Sequence, residues 1–111
     1  MFDDVRTLRD EDRAALRALL STDAPASSAD AFRALPAILA DGDDTPAAVR
    51  ARIDLTLLSI LDGFVDSALY QVDELTKDAR RVADLSGDQS LPPAADAVRD
   101  AVETAAQHST T

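Results

Sequence analysis

Residues 45–85 read TPAAVRARIDLTLLSILDGFVDSALYQVDELTKDARRVADL, about forty residues whose apolar positions recur at helical spacing with no evident stop. Thr45 followed by Pro46 is a strong helix start, a capping hydroxyl ahead of the one helical position that favours proline. Taking Ile53 as zero and advancing about 100° per residue, Leu57, Ile60, Phe64, Ala68, Leu75, Ala79 and Val82 fall within about 80° of it. Leu61, Val65, Val72, Leu58 and Leu69 widen the apolar arc to roughly 160°, while Ser59, Asp62, Asp66, Tyr70, Asp73, Lys77 and Asp84 line the wet side. An arc that wide needs at least two neighbours, and its mean spacing of about 3.67 residues departs from a heptad, so a bundle is expected rather than a zipper.

A continuous helix over 45–86 would be roughly 60 Å long, whereas a compact domain of 111 residues is only about 35 Å across. A second copy of the chain covering the overhang is the expected solution. The expected interface is Ile53, Leu57, Ile60, Leu61, Phe64, Val65, Ala68, Val72, Leu75 and Val82. Gly63 costs about 1 kcal/mol inside a helix and reads as tolerated strain, with a bend or close crossing as the alternative.

Outward from this segment the chain reads as helix throughout. Residues 7–20 form a first helix, with Asp10, Glu11 and Asp12 at its positive end and Leu8, Ala15, Leu16, Leu19 and Leu20 as its apolar face. Ser27 and Asp30 imitate a capping box ahead of a helix over 28–40, in which Pro36 predicts a kink or two short turns. Residues 41–44 are an exposed turn, and Gly87 fits a helix end. A short Ala-rich helix over 93–106 is the weakest of the four, and residues 107–111 read as a frayed tail. The fold class is therefore all-α, a single domain over 1–106 with four helices.

Composition narrows the function classes. Acidic residues number 21 against 11 basic, a net charge of −10, and 18 of the acids are aspartate while 10 of the bases are arginine. This bias resembles cytoplasmic proteins of salt-loving archaea, and it disfavours nucleic-acid binding, which needs cations to neutralise phosphates. Cysteine is absent, which excludes thiolate chemistry. The acidic start Met1, Phe2, Asp3, Asp4 is unlike a signal peptide, and no apolar run approaches the roughly 20 residues of a membrane span, so a cytoplasmic protein is expected.

No catalytic, cofactor-binding or metal residues are assigned. The run Asp41, Gly42, Asp43, Asp44, Thr45 resembles the DxDxT nucleophile loop of haloacid-dehalogenase-type phosphatases over five residues. That family implies a parallel sheet with the loop at a strand end; no strands read here, so the run is a capping turn. As an EF-hand it fails, with Pro46 where glycine is needed and Arg52 in place of the bidentate glutamate. His108 is the only histidine and reads as a surface residue. Asp62, Asp66 and Asp73 share a stripe without the Glu-x-x-His pairs of a di-iron centre and read as a solvated face. Lys77, Arg80 and Arg81 have Asp73, Asp78 and Asp84 nearby to pair with, and Tyr70 on the wet side could mark a helix contact. The functional expectation is a non-enzymatic oligomerisation or protein-interaction module, a homodimer or an adaptor with a protein partner. The alternative is a small dimeric transcription regulator whose first two helices resemble a degenerate helix-turn-helix.

Overall fold

The computed structural model describes residues 5–110 and contains five helices: α1 (Asp10–Ala18), α2 (Ser28–Leu39), α3 (Pro46–Leu61), α4 (Val65–Ser86) and α5 (Leu91–His108). The continuous helix expected over 45–86 is two helices, which makes five rather than four. Residues 1–4, whose acidity bore on the signal-peptide reading, and residue 111 lie outside the described part.

The corner between α3 and α4 is a complete Schellman stop. Gly63 sits in the left-handed region at φ +95°, its N–H donates to the Ile60 carbonyl at 2.9 Å, and the Phe64 N–H donates to the Ser59 carbonyl at 3.0 Å. An L-residue in that conformation costs about 1–2 kcal/mol, so glycine at this position permits the stop. The N-terminal segment also lies against it: a Cβ on Gly63 would stand 2.5 Å from Val5 Cγ1 and 3.0 Å from the Arg6 carbonyl oxygen. Arg13 of α1 donates to the Leu61 carbonyl at 3.0 Å, which places a cation at the negative end of the α3 dipole.

Folding back at Gly63 turns the two halves of the apolar arc toward each other. Arg52 reaches Asp78 and Arg81 reaches Asp44, so α3 and α4 run antiparallel. α5 packs antiparallel on α4, with Arg80 facing Asp96 and Arg99 facing Asp73. The core joins Leu16 of α1, Val49, Leu57 and Ile60 of α3, Val65, Leu75 and Val82 of α4, and Leu91, Val98 and Val102 of α5. The result has a radius of gyration of 13.4 Å and extents of 40 × 28 × 26 Å. α5, read as the weakest helix, is instead anchored by Leu91, Ala95, Val98, Val102 and Ala105, all buried; small side chains let it approach α4 closely.

α3 is buried nearly all round, as a central helix must be. Its buried polar groups are satisfied: Thr56 and Ser59 donate within the helix to the Arg52 and Leu55 carbonyls, and Asp54 accepts from the distant Ser21 N–H and hydroxyl at 3.1 and 2.6 Å.

α2 is attached differently. Ser27 caps it, and Asp62 at the end of α3 accepts from the Ser28 N–H and hydroxyl at 3.1 and 2.5 Å. It runs through Pro36 as one helix, without the expected division into short turns; Pro36 and Phe32, whose carbonyl loses its donor, both lie on the exposed side. α2 packs on α3 alone, and only Ala31 is buried. It does not touch α1, so the first two helices do not form a helix-turn-helix unit.

The two ends of the described chain meet. Thr7 and Thr110 exchange backbone hydrogen bonds at 2.6 and 3.0 Å, the Arg6 N–H donates to the Gly63 carbonyl at 3.0 Å, and His108 Nδ1 lies 3.1 Å from Asp12 Oδ2. The segment read as a frayed tail is thus pinned up to Thr110 against Thr7 and Asp12.

Candidate functional site

Because α2 and α4 both flank α3 without touching each other, a trough opens between them with α3 as its floor. On the α2 wall stand Ser28, Ala29, Phe32 and Leu35; on the α4 wall Ser67, Tyr70, Gln71 and Glu74; on the floor Arg52, Leu55, Thr56 and Ser59. Both walls follow helical spacing, so each presents one stripe to the space between them. Two adjoining cavities of about 230 and 720 Å³ fill the trough, and they share Leu55 and Gln71.

The trough is mainly apolar. Phe32 and Tyr70 rise from opposite walls, each 68 % exposed, and Leu35 and Leu55 are half-buried between them. The side-chain oxygen of Gln71 is buried and has no hydrogen-bond partner among the described residues. An acceptor left in that state costs roughly 1–3 kcal/mol.

One end of the trough is tied to the turn of residues 41–44 by a ladder of charges. Arg52 reaches Asp78 at 2.9 Å, Asp78 reaches Arg81 at 3.0 Å, and Arg81 reaches Asp44 at 2.8 Å. The first pair is sheltered, with both side chains 25 % exposed. Asp41 and Asp43 make no ion pair or hydrogen bond among the described residues. Thr45 accepts from the Ala48 N–H at 3.1 Å, so this run caps α3.

Of the ten residues expected at an interface, Ile53, Leu57, Ile60, Leu61, Val65, Ala68, Val72, Leu75 and Val82 are buried within the single chain. Phe64, at 39 % exposed, is the only one open to solvent. The stripe of Asp62, Asp66 and Asp73 is divided among structural partners, Ser28, Arg6 and Arg99 respectively. His108 stays partly exposed beside Asp12.

Leu55, Gln71 and Ser67 carry no signal in the sequence; Phe32 and Leu35 read only as apolar positions of α2 at helical spacing, and Tyr70 as an aromatic on a polar stripe. The available signal was joint: Phe32 and Tyr70 are large rings on two helices that must both flank α3 once the chain folds back. Among the described residues no cluster of His, Cys, Asp or Glu could hold a metal ion, and no helix is long and apolar enough to cross a membrane. No family model matches the chain, and neither the curated proteins nor the solved structures give a match.

Proposed function

We propose that this chain is a non-enzymatic protein-interaction module that receives a helix of another protein in the trough between α2 and α4. The observation that carries this reading is the trough itself: two parallel helical walls, Leu35 and Leu55 half-buried between two exposed rings, and a buried amide oxygen without a partner among the described residues. Helix-in-groove recognition uses this arrangement, with anchors at helical spacing supplying area and a few polar groups fixing register. The wide apolar arc that motivated a homodimer is buried by α3 and α4 against each other and against α1 and α5, so the unfilled surface lies elsewhere.

Two measurements on the intact chain test the reading. Light scattering coupled to size exclusion in about 2 M KCl, where carboxylate repulsion is screened, should give a mass near 11.8 kDa. Under the same conditions an apolar dye such as ANS should bind the folded protein saturably and lose its site in Phe32→Asp but not in Phe64→Asp. A doubled mass that returns to 11.8 kDa in Phe32→Asp would make a second copy the occupant. Dye binding indifferent to Phe32→Asp would overturn the assignment of the trough.

A further inference from the structure

Resting on that reading, we infer the chemistry and direction of the occupant: a short amphipathic helix with lysine or arginine at its N-terminal end, lying antiparallel to α2 and α4. Length comes first. From Ser28 to Leu35 on one wall and from Ser67 to Glu74 on the other, the trough spans about two helical turns, or roughly 11 Å. An occupant fills that length with apolar anchors at i, i+4 and i+7.

Charge sets the end. Within the trough the cations are answered internally, since Arg52 pairs with Asp78 and Arg33 with Asp30. At the Leu35 end, α2 terminates with no basic residue in its last turn and runs directly into Asp41 and Asp43, which are exposed and unpaired among the described residues. The negative end of the α2 dipole and two free carboxylates therefore lie beyond the same end of the trough, past Leu35. The ladder that ends at Asp44 holds this turn against α4. A helix entering with its N-terminus there brings the positive end of its own dipole, and basic side chains in its first turn find acceptors that the chain has left unused. The opposite polarity would set two negative helix ends and the free carboxylates together.

The test is a displayed library of amphipathic helices of about 16 residues, long enough for four turns, selected against the full chain and counter-selected against Phe32→Asp. Enriched sequences should carry lysine or arginine in the first turn. An enriched peptide, followed by fluorescence anisotropy, should bind about three- to tenfold more weakly to the Asp41→Asn/Asp43→Asn double variant, the range expected for two exposed charge pairs. Circular dichroism checks that this variant is folded. A nitroxide on the peptide's N-terminus should broaden amide signals near Gly42 rather than near Ser28. Enriched helices with neutral or acidic ends, or binding indifferent to the double variant, would overturn the charge inference and leave the trough assignment standing. Broadening near Ser28 would overturn the direction. Failure to enrich any helix over the Phe32→Asp counter-selection would overturn both.

Discussion

Gly63→Ala should be among the most damaging single-methyl changes in this chain, and the structure separates its components. The left-handed φ of +95° costs an alanine about 1–2 kcal/mol. Its Cβ would lie 2.5 Å from Val5 Cγ1 and 3.0 Å from the Arg6 carbonyl oxygen. Val5 is exposed and can swing aside, but the Arg6 backbone can retreat only by loosening its 3.0 Å hydrogen bond to Gly63, worth about 1 kcal/mol. The sum is a loss of roughly 2–3 kcal/mol from a stability that for domains of this kind is about 5–15 kcal/mol. Gly87→Ala is the internal control: φ is +82°, yet nothing lies within 4 Å of the added Cβ, so it carries conformational strain alone. In urea denaturation, with a slope of about 1.5 kcal/mol/M, the Gly63→Ala midpoint should fall by about 1.3–2 M and the Gly87→Ala midpoint by about 1 M. Equal shifts for the two variants would refute the role of the N-terminal segment against the corner. No shift for Gly63→Ala would refute the corner itself and return α3 and α4 to a single helix.

Three further outcomes are expected. Leu57→Ala, which empties a fully buried position, should cost about 2–5 kcal/mol in the same denaturation experiment, whereas Phe32→Ala should stay within about 0.5 kcal/mol; comparable losses would contradict the division between core and trough. Hydrogen bonds from the Ser90 side chain and N–H, together with Arg50, hold the Asp88 carboxyl below its ordinary value of 3.8. Its stabilising contribution is then complete above about pH 3.8 and lost as pH falls through the lowered folded value; carboxyl NMR should show the early titration, and Asp88→Asn should remove that part of the acid dependence. Amide exchange should be faster in α2 than in α3, α4 or α5, because α2 contributes one buried residue and packs on a single neighbour; uniform protection would contradict that picture.

What the sequence discloses here is local chemistry. Thr45 with Pro46, Ser27 and Gly87 announce helix boundaries through caps that act within a few residues, and each stands where it was read. Gly63 escaped because the apolar phase does not break across it: Ile60, Phe64 and Ala68 keep helical spacing through the corner. Periodicity reports which face is apolar, not whether the axis turns, and here turning was decided by what the arc could be buried against. α5 was undervalued because Val98 and Val102 are its only β-branched apolar residues, while Ala95 and Ala105 become core residues only through close packing on α4. The trough was legible least of all. Leu55 lies off the main arc, and Phe32 reads as an ordinary apolar position of α2 until the placement of α4 leaves a gap beside it.

The meeting of Thr7 with Thr110 bears on the order in which this protein comes together. Helix pairs joined by short corners can form while the chain is still being made, since α3 and α4 are separated by three residues and α4 and α5 by four. The bridge between Thr7 and Thr110 closes residues 7–110 into a ring, and Thr7 has no bridging partner until residue 110 has left the ribosome. Closing so long a loop is entropically expensive, but most of that cost has been met once the helices are packed, because the two ends are by then held side by side. The segment under Gly63 is therefore a final fastening, set after the bundle has formed, and damage to it should slow neither helix formation nor collapse but should speed unfolding.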